Sequence, residues 1–74
     1  MFYYIKHKNY GPINVVKADY PSWSFVVAKG SNWDSTGDLT IYSTKSKALL
    51  DMHMLRNLRN KNDRKNFVLV KVGK

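Results

Sequence analysis

The chain reads as a small α+β domain: a mostly antiparallel sheet of about five strands covered by one helix, in the order β-β-β-β-α-β. Three observations lead to this class. Short runs rich in β-branched and aromatic residues, punctuated by Gly, Pro, Asn and Asp, fill the chain as far as Tyr42. One stretch with helical spacing begins at Lys45, and the run Phe-Val-Leu-Val-Lys-Val over residues 67–72 closes the domain as a strand. At 74 residues the whole chain, 1–74, is one domain. A domain of this size buries only about 60% of its unfolded surface, and every aromatic residue but Phe67 precedes Ser43, which concentrates the packing material in the first strands.

Residues 2–8 are dense in aromatic and β-branched side chains and meet a turn signal at Asn9-Tyr10-Gly11-Pro12. Residues 13–18 alternate in part and are broken by Asp19-Tyr20-Pro21-Ser22. Residues 23–29 put Trp23, Phe25 and Val27 on one face and Ser24, Val26 and Ala28 on the other; apolar groups on both faces predict the central strand of the sheet. A long polar loop over 30–37 carries Trp33, and loops of this kind run over the surface and often carry function. Residues 38–42 then form a short strand, and Ser43 or Thr44 caps a helix running from Lys45 to about Asn60. In that helix Ala48, Met52 and Leu55 make one apolar stripe and Leu50, Met54 and Leu58 a second beside it. One helix on a sheet needs a stripe only a little over ~100° wide. The surplus predicts that Leu50 and Met54 meet a second copy of the chain, as a homodimer, or lie beneath the 30–37 loop.

Thirteen Lys and Arg stand against five Asp and no Glu, a formal net charge of +8. Ordinary soluble surfaces intersperse both signs, so the excess points to a polyanion or to an acidic protein surface. The densest part is residues 56–65, with Arg56, Arg59, Lys61, Arg64 and Lys65 at the expected helix end and the following loop. Lys6, Lys8, Lys17 and Lys29 come from strands and extend it, and Tyr10, Tyr20 and Trp33 are the loop-placed aromatics able to stack on bases. Trp23, Phe25 and Tyr42 are expected in the core.

Other chemistries lack their residues. Cysteine is absent, which removes disulfides and thiolate metal sites and favours a cytoplasmic protein. No apolar run approaches the ~20 residues of a membrane helix, and the amino terminus places its apolar run before its charges, the reverse of a secretory signal. His7, in a lysine-flanked strand, and His53, on the polar side of the helix, read as ordinary surface histidines, so no nucleophilic triad is expected. Asp34 and Asp38 are the only close carboxylates, too few for a calcium loop or for paired acid–base catalysis. No Gly-Lys-Ser/Thr follows Gly30 or Gly37, which excludes a phosphate-cradling loop. The chain is therefore expected to be a non-enzymatic binder without metal or cofactor, contacting nucleic acid through its phosphates or, alternatively, the acidic surface of a protein. Residues 65–72 have a superficial likeness to the aromatic strand of RNA-recognition motifs, but those need two helices.

The abundance of Lys, Asn, Tyr and Ile, the short cysteine-free chain, and the strand–Ser43-Thr44-x-x-x-Ala48–helix–strand ending over residues 42–72 resemble in style the small accessory proteins of tailed bacteriophages. The resemblance implies a stoichiometric protein acting in the host cytoplasm. It would bind and redirect or block a host factor, such as a nucleic-acid-processing or defence enzyme.

Overall fold

The computed structural model describes residues 1–28 and 39–73. Along them run β1 (Phe2–His7), β2 (Gly11–Val16), β3 (Ser24–Val27), helix α1 (Lys45–Asn57), the short helix α2 (Lys61–Arg64) and β4 (Phe67–Val72). The four strands make an antiparallel sheet in the order β3-β2-β1-β4, and α1 precedes the last strand, so the chain is α+β. Trp33, Lys29, the Asp34/Asp38 pair and the loop over 30–37 lie outside the described residues.

The strand period of two decides what faces α1. Ile5 on β1, Ile13 on β2 and Phe67 on β4 are buried with Tyr42, Ala48, Met52 and Leu55, while Tyr3, Val15, Trp23, Phe25 and Leu69 pack around them. Each fully buried aliphatic side chain of this kind contributes about 1.5–3 kcal/mol. β1 is paired with β4 along its whole length, from Phe2 opposite Val72 to His7 opposite Phe67, which ties the two ends of the described chain together.

β1 and β2 pair only next to their turn, at Lys6 with Pro12 and His7 with Gly11. Beyond that point they diverge, and residues 40–42 enter the gap. Tyr42 exchanges two backbone hydrogen bonds of 2.8 Å with Tyr3. Thr40 meets β2 through its side chain: Oγ1 accepts from the Val15 N–H and donates to Asn14 Oδ1, both at 2.8 Å. The described part of the expected strand over 38–42 is therefore a single bridge at Tyr42. A segment that serves two diverging strands, one with its backbone and the other with a hydroxyl, cannot extend a regular ladder along either.

Among the described residues β3 is an edge strand, pairing only with β2, and not the central strand that its two apolar faces predict. Phe25 and the preceding Trp23 turn to the core, whereas Val26 and Val27 are exposed. A continuous apolar run suits burial on both faces, but a strand at the edge of this sheet covers only one.

Helix α1 begins as its sequence indicates, with Thr44 extended at the N-cap and its side chain accepting the Lys47 N–H at 3.4 Å. Ala48, Met52 and Leu55 form its buried stripe. The second stripe is covered only in part: Leu50 is 56% exposed, and Met54 and Leu58 are half-buried. α1 ends at Asn57, earlier than about Asn60, because the chain turns into α2, where Asn60 is the N-cap and accepts the Asp63 N–H at 3.0 Å. Asn60 followed three positions later by Asp63 is a local start signal visible in the sequence.

Candidate functional site

Two aspartates organise the polar interior. Asp51 lies on the buried face of α1, only 1% exposed. Its Oδ2 accepts from the Tyr42 hydroxyl at 2.7 Å and pairs with Lys17 Nζ at 2.7 Å. Lys17 in turn sits over the Trp23 ring, 5.1 Å from its centroid. Burial, followed by the hydrogen bond to Asp51 and its charge, pushes the Tyr42 hydroxyl pKa well above 10.0. This cluster fastens α1 to the inserted segment and to the far end of β2.

Asp63 does the corresponding work at the opposite end of β2. Its Oδ1 accepts from His7 Nε2 at 2.8 Å and from Asn66 Nδ2 at 3.1 Å, and its Oδ2 pairs with Arg59 Nε at 2.7 Å. These hydrogen bonds, that from His7 foremost and then those from Asn66 and Arg59, hold its carboxyl well below its ordinary value of 3.8. His7 Nδ1 accepts the Asn9 backbone N–H at 3.1 Å, which assigns the ring hydrogen to Nε2, the atom that donates to Asp63.

His7 is 1% exposed, not the surface histidine its lysine neighbours suggest. It alternates inward with Tyr3 and Ile5, and its ring packs among Tyr10 at 4.5 Å, Phe67 at 5.0 Å and Phe25 at 5.8 Å between centroids. With both ring nitrogens engaged and the ring covered, His7 has no nitrogen to offer a substrate.

The same network gathers a cationic corner. The Lys8 N–H donates to the Asn66 carbonyl at 2.8 Å, placing the β1–β2 turn against the connection from α2 to β4. Arg59 lies over the Phe25 ring at 5.3 Å as well as on Asp63. Arg64 Nε donates to the carbonyls of Arg56 and Arg59 at 3.0 and 3.1 Å, satisfying acceptors at the end of α1. Arg59 and Arg64 thus shape the corner as well as charging it. Lys8, Lys61 and Lys65 are exposed, with no ion pair among the described residues.

Of the residues singled out from the sequence, Arg56, Arg59, Lys61, Arg64, Lys65, Lys8 and Tyr10 come together at this end. Lys8 and Tyr10 join through the turn although they are remote in sequence from the cluster. Lys6 stands apart, one position before inward-facing His7 and therefore on the other face of the sheet. Tyr20 is exposed beside Trp23, 6.2 Å away, beyond the far end of β2, a strand length of about 17 Å. Asp51 and Asp63 were not predicted from the sequence. An acidic residue between apolar neighbours on the inward arc of a helix, as Asp51 is between Ala48 and Met52, is the signal that a buried partner must exist.

No helix among the described residues is long and apolar enough to cross a membrane. No protein-family model, curated protein or solved structure matches the chain.

Proposed function

We propose that this chain is a non-enzymatic nucleic-acid-binding protein that grips phosphates with the cationic corner built from the β1–β2 turn, the end of α1 and α2. The observation that carries this reading is the engagement of Asp63. Among the described residues the one carboxylate of the corner has both oxygens occupied by His7, Asn66 and Arg59, and it forms no ion pair with the surrounding Lys8, Arg56, Lys61 and Lys65. Long cationic side chains on a turn held by hydrogen bonds are suited to phosphate oxygens, which set affinity without reading sequence. The engagement of both His7 nitrogens supports a binding role over a catalytic one.

Fluorescence anisotropy with single- and double-stranded DNA and RNA across a salt series tests the reading. Binding is expected to weaken steeply with salt, and replacing Lys8, Lys61 and Lys65 together with Ala is expected to flatten the log–log slope by roughly 2–3, at about 0.7–0.9 for each lost phosphate contact. Absence of binding to all four nucleic acids at low salt would refute it. The lysines are better probes than Arg59 and Arg64, whose loss would also disturb the corner.

A second reading is an inhibitor or adaptor, of the bacteriophage accessory type and acting in the cytoplasm, that docks on an acidic surface of a host protein. The exposed Tyr10 and Tyr20 favour it, since Tyr and Arg are common interface anchors. Retention of a protein partner by the immobilised chain after nuclease treatment would select this reading. Self-association through Leu50 and Met54 is a separate proposal resting on the exposure of Leu50; sedimentation as a monomer at high concentration would remove it.

A further inference from the structure

We propose that the cationic corner takes single-stranded nucleic acid, with one unpaired base stacked on the outward face of Tyr10; this deepens, and rests on, the reading of the corner as a phosphate site. Tyr10 combines two properties that ordinarily exclude each other in a small domain. It is 55% exposed, yet its ring is backed by His7, with centroids 4.5 Å apart and planes at 27°, and it lies 6.3 Å from Phe25. The backing is itself immobilised: His7 is held between Asp63 and the Asn9 amide, and Phe25 packs edge-on to Phe67 at 5.3 Å and under Arg59 at 5.3 Å.

The backbone holds the ring in the same place. The Tyr10 N–H donates to the His7 carbonyl at 3.2 Å, and Gly11 follows at φ 91°, a conformation that side-chain-bearing residues rarely adopt. A flat apolar surface has thus been fixed at a turn tip and left half in water.

Its neighbours indicate the occupant. Lys8 is two residues away, and Arg59 shares Phe25 with Tyr10, so phosphates held at the corner bring their own bases within reach of the ring. In a duplex the base faces are stacked on one another and only edges face the grooves, which leaves an outward ring with nothing to stack on. In a single strand the faces are available, and an aromatic beside cations is the usual platform for them.

The test compares wild-type affinity for three probes of equal phosphate number: oligothymidine, the corresponding abasic strand, and a duplex. Poly-glutamate is a fourth probe. Oligothymidine is expected to bind roughly 5- to 150-fold more tightly than the abasic strand, the range that stacking of one base on an aromatic side chain provides. Tyr10→Ala should abolish that margin without altering the salt slope, and Tyr10→Phe should keep it. Because the wild-type comparison involves no substitution, it stands even if Tyr10→Ala perturbs the turn. Equal binding of oligothymidine and abasic strand, preference for the duplex, or a margin surviving in folded Tyr10→Ala would overturn this inference while leaving phosphate binding intact. Poly-glutamate binding as tightly as oligothymidine would overturn it in favour of an acidic protein surface. No binding to any nucleic acid would overturn the underlying reading as well.

Discussion

Asp51 and Asp63 each accept from a side chain of the sheet or its inserted segment and each pair with a cation, but in opposite surroundings. Asp51 lies beneath α1 against Tyr42, and among the described residues its solvent-reaching partner is Lys17. Asp63 sits at the rim, where Arg59 and Asn66 close around it and His7 alone comes from the interior. Water can replace a lost group at the rim and cannot do so under the helix. The first cluster therefore belongs to what keeps the chain folded, and the second to what shapes the surface it presents.

Removing Asp51 should produce the largest effect. Asp51→Ala leaves the buried Tyr42 hydroxyl without its acceptor, and stability is expected to fall by about 1–3 kcal/mol. Urea unfolding would measure this, and the loss should persist at high salt, because a buried hydrogen bond is poorly screened. Asp63→Ala also removes the acceptor of His7 Nε2, but at the rim water can take its place, so the loss should be smaller, and the part due to the exposed Arg59 pair should shrink as salt is added. Equal, salt-independent losses in the two variants would break the comparison.

pH sharpens it further, because the clusters fail at opposite extremes. Asp63 has its folded-state pKa depressed below 3.8, so its contribution is complete above that value and is lost as pH falls through and below it. Tyr42 has its folded-state pKa raised above 10.0, so its contribution is complete below pH 10 and is lost as pH rises beyond it. Stability measured across pH should show both limbs. Asp63→Asn is expected to make the acid limb shallower and Tyr42→Phe the alkaline limb; a swap of these assignments would refute the scheme.

The smallest stability effect is expected from cations on the corner that form no ion pair among the described residues. Lys61→Ala and Lys65→Ala should change stability by no more than about 0.5 kcal/mol while reducing the salt dependence of the proposed nucleic-acid binding. A destabilisation comparable to that of Asp51→Ala would mean that these lysines serve the fold.

How much of this is readable in the chain depends on the range of the interaction. β4 spans Phe67–Val72 as its β-branched run indicates, and Thr44 caps a helix whose inward residues are Ala48, Met52 and Leu55, because composition runs, periodicity and capping are local signals. The candidate site was half legible. Its α1–α2 cations form one continuous run, but Lys8 and Tyr10 reach it only through the hydrogen bond of the turn to Asn66 and the stack on His7. β3 misled for a related reason: apolar residues on both faces say that burial is available, not which strand receives it.

By itself, then, the sequence determined an α+β order with one main helix before the closing strand, the inward face of that helix, and an excess of positive charge with its densest run over residues 56–65. Tertiary structure alone decided that β3 is an edge, that residues 40–42 fill the divergence between β1 and β2, and that His7 is buried against Asp63, 56 residues away. Local patterns record which side of an element avoids water. The partner of a buried polar group is chosen by where distant segments cross, and the desolvation penalty on an unsatisfied donor makes that choice binding only once the chain has closed.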